Sequence, residues 1–342
     1  MKGSTARISM AGLVLVAAVA AGAVGAVGAA HGYPISPRTL WEQAAEAELI
    51  VVADVVAIHE LATDENEWND AAAVLDLREI WKGSAASIIE VVYPQGLLCP
   101  APPRFVVGER VLAFLGRDQA EAWYAVGLSY GTLYPDDAEL ADFRAATESA
   151  LELQAVRQGL SARRQRDLRI EWLVEAASRP GTRWHGLYEL HPQSDGLHSY
   201  YDRSRPRLAG RPALRAEQLQ RIARGFTHQP PLDRTLPMAL GVLDSLTSPK
   251  VDQAAAAAIA TLVAREQAPY WIRDALMLLL RRLGDEDPAA RIAVLGELHD
   301  RVETETLRGL WRQITAQYRL GEVEPLADRE PRVGGVGSDT PS

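Results

Sequence analysis

The chain has 342 residues, of which 47% are hydrophobic and 24% are charged, as in a globular protein long enough for two domains. Its formal net charge is -9, and residues 33–135 alone contain 6 basic and 15 acidic residues, which argues against nucleic acid as the ligand of this part. The single cysteine, Cys99, excludes an intrachain disulfide, so stability must come from packing.

Residues 1–32 have the features of a signal peptide. Lys2 and Arg7 form a basic start, residues 10–30 are uncharged and rich in Ala, Val and Gly, and residues 28–32 are mostly small, as a signal peptidase requires. The alternative is an uncleaved membrane anchor, because the run is about long enough to span a bilayer. The pattern predicts export to the periplasm or the extracellular space, with membrane attachment only if the segment is retained.

A β domain is predicted next, in residues 33–135. A short helix is expected after Ser36 and Pro37, and residues 49–128 then contain five apolar, β-branched runs separated by polar or Gly/Pro breaks. These runs predict a five-stranded antiparallel β-barrel, closed or nearly closed. The second run changes phase at Ile80 and Trp81, which predicts a bulge. Four prolines place the connection 94–103 outside the strand ladder.

Four stretches carry a resemblance to a known family: AEAELIVVADVVAI, VLDLREIWKG, CPAPPRFVVGERVLAFLG and YAVGLSYGTLY. They resemble exported bacterial proteins with an OB-type barrel similar to that of the tissue inhibitors of metalloproteinases. The resemblance covers about residues 40–135 and implies an OB-like fold. Inhibitors of that family grip the protease zinc through an N-terminal cysteine braced by disulfides. No cysteine lies near a plausible mature N-terminus here, so the resemblance implies the fold and not the inhibitor mechanism.

From residue 136 the hydrophobic period becomes helical. Residues 136–320 predict an all-α domain, either HEAT-like helix pairs or an irregular bundle, which makes the whole chain α+β. The expected helices cover residues 136–158, 167–178, 182–190, 213–225, 233–246, 251–266, 270–283, 288–299 and 304–319. Residues 321–342 are acidic and rich in Pro and Gly, which predicts a disordered tail.

Two motifs could carry catalysis or bind a metal. Residues 127–131 match the G-x-S-x-G pattern around Ser129, but that chemistry needs a strand, a sharp turn and a helix, and the Thr-Leu-Tyr-Pro that follows does not start a helix. His185, His191 and His198 are spaced too widely for the usual zinc ligand pairs on a helix. The sequence therefore favours a structural Ser129 and predicts neither a metal site nor a cofactor.

Two groups of residues are candidates for binding a partner. Leu97, Leu98 and Phe105 either cap one end of the barrel or contact a partner. Residues 157–224 contain 14 Arg against 7 acidic residues, and the candidates there are Arg203, Arg205, Arg207 and Arg211. This basic segment could be a solvated face, contact the acidic barrel or tail, or bind an anionic partner.

Together these features predict an exported, non-enzymatic binding or scaffold protein with an unidentified protein partner. Both barrels and helical arrays commonly present surfaces for partners. The alternatives are an inhibitor or regulator of an extracellular enzyme, which rests on the barrel resemblance, and a serine hydrolase that uses Ser129.

Overall fold

The computed structural model describes residues 37–62, 68–97, 101–191, 212–296, 302–320 and 326. The predicted signal peptide, Cys99, and most of the predicted tail lie outside these residues. Within them, no helix has both the length and the apolar character needed to cross a membrane.

A closed barrel forms the N-terminal part. Its strands are β1 (Leu49–Glu60), β2 (Ala71–Lys82), β3 (Ile88–Tyr93), β4 (Arg110–Arg117) and β5 (Trp123–Ala125). They are arranged in the order β1–β2–β3–β5–β4, and β4 pairs with β1 to close the ring. A two-residue strand, β6 (Thr132–Leu133), adds to β4. This arrangement is consistent with the OB-like barrel expected from the sequence.

The barrel is mixed and not purely antiparallel, which corrects one detail of the prediction. Four neighbouring pairs around the ring are antiparallel, but β3 and β5 run parallel and meet at the single pair Val91 and Trp123. The reason is that the ring has an odd number of strands. Directions can alternate around a closed ring only if the number of strands is even, so a closed barrel of five strands must contain a parallel pair.

The bulge predicted in the second strand is present. Val51 pairs with Ile80 and Ile50 pairs with Lys82, so Trp81 is left out of the register. The extra residue lets Lys82 face outward, where its Nζ donates a hydrogen bond of 2.9 Å to the carbonyl of Ala44. The bulge therefore connects the barrel to the short helix that precedes it.

Helices make up the remainder of the described chain. They are α1 (Leu40–Glu46), α2 (Asp137–Val156), α3 (Ala162–Ser178), α4 (Arg183–Leu190), α5 (Ala216–His228), α6 (Thr235–Val242), α7 (Pro249–Ala264), α8 (Ile272–Arg282), α9 (Pro288–Ile292) and α10 (Thr304–Tyr318). The predicted α+β class is confirmed. The predicted helix 288–299 ends early, since α9 passes into a 3-10 turn and Gly296 adopts a positive φ of 83°.

Two hydrophobic cores share a wall made of β1 and β4. Val51 on β1 and Leu115 on β4 point into the barrel, whereas Ile50 and Phe114 point outward and join the core of the helices. Both faces of these two strands are therefore buried where they pair, at residues 49–53 of β1 and 111–115 of β4. The barrel and the helices meet through a continuous apolar core.

Helix α1 precedes the barrel in the chain but packs with the helices. The Trp41 ring lies 5.3 Å from that of Trp172 on α3, measured between centroids, and Gln154 Nε2 on α2 donates a 2.8 Å hydrogen bond to the carbonyl of Trp41. The boundary at residue 135 therefore divides the chain by secondary structure but does not separate two independent cores.

Two glycines allow helices to approach α3 closely. A Cβ built on Gly186 in α4 would lie 2.3 Å from the backbone nitrogen of Ala177, and one on Gly225 in α5 would lie 1.9 Å from the carbonyl oxygen of Ser178. No side chain fits at such distances, so glycine is required at both crossings.

One residue of the C-terminal segment is described. The Leu326 backbone N–H donates a 2.7 Å hydrogen bond to Thr261 Oγ1 on α7, and the Leu326 side chain packs against the helical core. At this position the segment is attached to the helices.

Candidate functional site at the barrel–helix junction

The apolar residues that the sequence offers as a partner-binding surface do not all lie at the surface. Phe105 is 7% exposed, packs inside the barrel and lies 5.0 Å from the Tyr93 ring between centroids, so it is a core residue that closes the barrel and not part of an exposed surface. Leu97 is half-buried, and its N–H donates to the Pro94 carbonyl in a turn. Leu98 lies outside the described residues, as do Arg203, Arg205, Arg207 and Arg211.

The segment around Ser129 forms a 3-10 turn (Leu128–Gly131) between β5 and β6. The Ser129 N–H donates to the Ala101 carbonyl at 3.3 Å. Gly127 adopts a φ of 75°, and a Cβ there would lie 2.7 Å from Arg38 Cγ, so glycine is needed both for conformation and for space. A nucleophile elbow would continue from the turn into a helix, whereas this turn continues into a strand.

Two of the three histidines are described, and each lies at a packed position. His185 is buried, and its Nδ1 accepts a 3.0 Å hydrogen bond from the Leu40 N–H at the start of α1. This burial lowers the pKa of His185 to about 3, so the ring is neutral near pH 7. His191 lies against Gly241, where a Cβ would meet its Nε2 at 2.3 Å. Among the described residues, no group of three or more His, Cys, Asp or Glu could hold a metal ion.

Some arginines of the basic segment pair with its own acids where the segment is described. Arg215 and Arg221 on the α5 side both pair with Glu171 on α3, and Gln218 Nε2 donates a 2.7 Å hydrogen bond to the same carboxylate. Burial acts to raise the pKa of Glu171, but the hydrogen bonds from Arg221 and Gln218 outweigh it and hold the pKa below its ordinary value. Glu171, Arg215 and Arg221 line an open groove of about 390 Å³ between α3 and α5. The lining of the groove therefore carries both signs of charge, with Glu171 and Glu217 beside Arg215, Arg221 and Arg224.

A denser polar cluster joins α1 to the helices. We call Thr39, Glu42 and Glu189 the Thr39 cluster. Thr39 Oγ1 lies 3.3 Å from Glu42 Oε2 and 3.2 Å from Glu189 Oε1, and the Thr39 N–H donates to Glu42 Oε2 at 3.0 Å. Arg169 on α3 forms an ion pair with Glu189 at 2.6 Å, without the alignment of a hydrogen bond. The Thr39 cluster and His185 together fix the N-terminus of α1 on α4.

An aromatic group lies beside these residues and connects the Ser129 turn to α4. The Tyr130 ring lies 6.2 Å from that of Trp184 between centroids, at an interplanar angle of 17°, and Trp184 stacks on Tyr188 one helical turn away at 5.0 Å. Gln43 Nε2 on α1 donates a hydrogen bond to the Tyr130 carbonyl. The junction is thus built from α1, α4 and the turn that carries the serine motif.

Part of this site was readable in the sequence. Thr39 is followed three residues later by Glu42, which is the spacing of a capping box, and the structure uses Thr39 and not Ser36 as the N-cap of α1. Glu189 and His185 gave no comparable signal, since their partners Thr39 and Leu40 lie more than a hundred residues away in the chain.

A search for related proteins found no matching family model, curated protein or solved structure.

Proposed function

We propose that this chain is an exported, non-enzymatic binding or scaffold protein that presents the outer surfaces of its barrel and helices in a fixed relation. The observation that carries the proposal is the continuous core across the junction, in which Phe114 and Ile50 of the barrel wall pack among the helices. A shared core of this kind resists relative movement of its parts, which a binding platform requires.

The interior of the barrel is filled by its own side chains, among them Leu49, Val51, Leu75 and Val91. A partner would therefore bind the outside of the molecule. The acidic balance of residues 33–135 favours a partner with a basic surface for the barrel, and the arginines at 203–211 favour an acidic surface for the neighbouring segment.

The described titratable residues at the junction favour a structural role over a catalytic one. The neutral His185 has its Nδ1 occupied by a backbone N–H, so this nitrogen is not available as a general base. The resemblance to metalloproteinase inhibitors is a proposal about the barrel alone, because the zinc-gripping cysteine of that family has no counterpart near the expected mature N-terminus.

Export is tested by N-terminal sequencing of the protein recovered from outside the cytoplasm. The expected mature chain begins at about residue 31–33, after the run of small residues. Recovery of the chain with Met1 intact in a membrane fraction would contradict cleavage and favour a retained anchor.

Partner binding is tested by cross-linking and affinity purification of the tagged protein from the cells that produce it. The test variant combines Arg203→Glu, Arg205→Glu and Arg207→Glu. The matched control combines Arg163→Glu, Arg164→Glu and Arg166→Glu, which makes the same charge change at exposed positions of α3. We expect a partner that the wild type and the control retain and the test variant loses. Equal recovery from all three proteins would exclude the 203–207 arginines, and recovery of no partner by the wild type would overturn the proposal.

A further inference from the structure

Two carboxyl groups at the junction converge on one hydroxyl group. Thr39 Oγ1 lies between Glu42 Oε2 and Glu189 Oε1, at 3.3 Å and 3.2 Å. A hydroxyl group carries one proton and can donate it to only one of the two carboxylates, while its lone pairs can accept from the other group only if that group is protonated. The three oxygens therefore form a connected set only when the two carboxyl groups share one additional proton.

The surroundings decide which carboxyl group carries that proton. The Glu189 side chain is 4% exposed and faces the Arg169 guanidinium at 2.6 Å, which stabilises its negative charge. Glu42 is half-buried, and its Oε2 is the oxygen that approaches Thr39. The proton therefore belongs on Glu42, which donates to Thr39 Oγ1, and Thr39 in turn donates to Glu189.

We infer that Glu42 is a proton-binding site that controls the docking of α1 on α4. With the proton present, Glu42, Thr39 and Glu189 form an unbroken chain of hydrogen bonds between the two helices. When Glu42 releases its proton to water, two negative carboxylates face one another across a single hydroxyl group, and the docking of α1 weakens. Helix α1 is then a pH-sensitive contact between the start of the barrel and the helices.

The electrostatics of Glu42 support this assignment. Burial raises its pKa above the ordinary value, and the negative charge of Glu189 raises it further, while the Thr39 N–H and the charges of Arg169 and Arg38 act in the opposite direction. Folded Glu42 thus binds a proton more tightly than unfolded Glu42. Its contribution to stability is complete below the ordinary pKa of a glutamate and decreases as the pH rises through the raised pKa.

Other charged groups around α1 have separate roles. Arg38 pairs with Glu46, and Lys82 donates to the Ala44 carbonyl at the far end of the helix. His185 acts against Glu42: because burial lowers its pKa to about 3, it favours the unfolded chain progressively as the pH falls below the ordinary histidine pKa. The stability of the whole protein therefore combines two opposite pH dependences. The effect of Glu42 must be measured in α1 itself, or as a difference between the wild type and a Glu42 variant.

The first measurement is a carbon-13 NMR titration of glutamate side chains in the full-length protein, with the Glu42 signal assigned from its loss in Glu42→Asp. We expect the Glu42 carboxyl to titrate above the ordinary glutamate range. A midpoint at or below that range would overturn the inference.

The second measurement is hydrogen exchange of the α1 amides at about pH 5 and about pH 7.5, corrected for the intrinsic effect of pH on exchange. We expect α1 of the wild type to lose protection at the higher pH, and Glu42→Gln, which has a permanently neutral side chain, to lose this pH dependence. Glu46→Gln is the matched control at an exposed position of the same helix: it removes the pair with Arg38 but leaves the Thr39 cluster intact, so it should keep the pH dependence of the wild type. Equal pH dependence in Glu42→Gln and in the wild type would also overturn the inference.

Discussion

The interior of the barrel and the core of the helices differ in which parts of the chain supply their side chains. Among the described residues, the barrel interior is formed by side chains of the barrel segment itself, from Leu49 to Tyr134. The helical core includes, besides the helices, the outward side chains of β1 and β4, such as Ile50, Val52 and Phe114. The barrel can fill its own interior, whereas the helices need the barrel wall to cover their apolar faces. The two regions therefore share the outer face of the wall, which the helices cover, but not the interior of the barrel.

Alternate residues of the same strands belong to the two different cores. In β1, Val51 and Ala53 face the barrel interior while Ile50 and Val52 face the helices. Because side chains alternate with a period of two, a slip of one residue would exchange the two sets. Substitutions one residue apart on these strands should thus affect different cores.

The largest expected effect follows from removing a wall residue on the helical side. Phe114 is fully buried among the helices, so Phe114→Ala should cost about 3–5 kcal/mol of unfolding free energy, through lost burial and the cavity left behind. Urea unfolding followed by circular dichroism measures this loss. Ile88→Ala, at an outward position of β3 that is 59% exposed, is the control and should change stability by less than about 0.5 kcal/mol. Similar small losses for both variants would mean that the helices do not depend on the barrel wall.

A smaller effect is expected where helices cross closely. Gly186→Ala would place a methyl group 2.3 Å from the backbone of α3, and the resulting separation of α3 and α4 should cost about 1–3 kcal/mol. Gly309→Ala is the matched control, because a Cβ at this position of α10 meets nothing within 4 Å. It should stabilise the helix by about 0.5–1 kcal/mol. Thermal unfolding of both variants compares them, and a neutral Gly186→Ala would show that α3 and α4 can separate at little cost.

Local sequence signals were sufficient for most of the fold. Asp136 caps α2 through hydrogen bonds to the Ala138 and Glu139 N–H groups, and Asp287 precedes Pro288 at the start of α9, as such residues do in isolated helices. The start of α3 was missed because Arg163, Arg164 and Arg166 hide the apolar period, although Ser161 was present as its N-cap.

The junction could not be derived in the same way. The parallel pair of β3 and β5 follows from closing an odd number of strands, which is a property of the whole ring and not of any segment. The contacts of His185 with Leu40 and of Glu189 with Thr39 join residues about 150 positions apart, and no local pattern specifies them. Nor does the sequence around Phe105 tell a barrel-closing phenylalanine from an exposed one.

A still smaller effect is expected from the polar bridge at the edge of the junction. Arg144 on α2 pairs with Glu79 on β2 and lies over the Trp81 ring, 5.5 Å from its centroid, but its side chain is 43% exposed. An exposed ion pair and an exposed cation–π contact contribute up to about 1 kcal/mol each, and thus about 2 kcal/mol together at most. Arg144→Ala should therefore cost far less than Phe114→Ala in the same urea experiment. An equal cost would show that surface charges, and not the shared core, hold the barrel on the helices.

The smallest expected effect is at Ser129, where the outcome also decides between a structural and a catalytic role. Ser129 lies in the 3-10 turn at the junction, and the bond that fixes it there, from its N–H to the Ala101 carbonyl, belongs to the backbone and survives removal of the hydroxyl group. Ser129→Ala should therefore change the unfolding free energy by less than about 0.5 kcal/mol. A serine nucleophile would need a histidine base within hydrogen-bond reach. His185 contacts Trp184, which stacks on Tyr130, but its Nδ1 is already bound to the Leu40 N–H. We accordingly expect the wild type and Ser129→Ala to be labelled equally weakly by a fluorophosphonate probe. Strong labelling of the wild type that is absent from Ser129→Ala would replace the binding-protein proposal with a serine hydrolase.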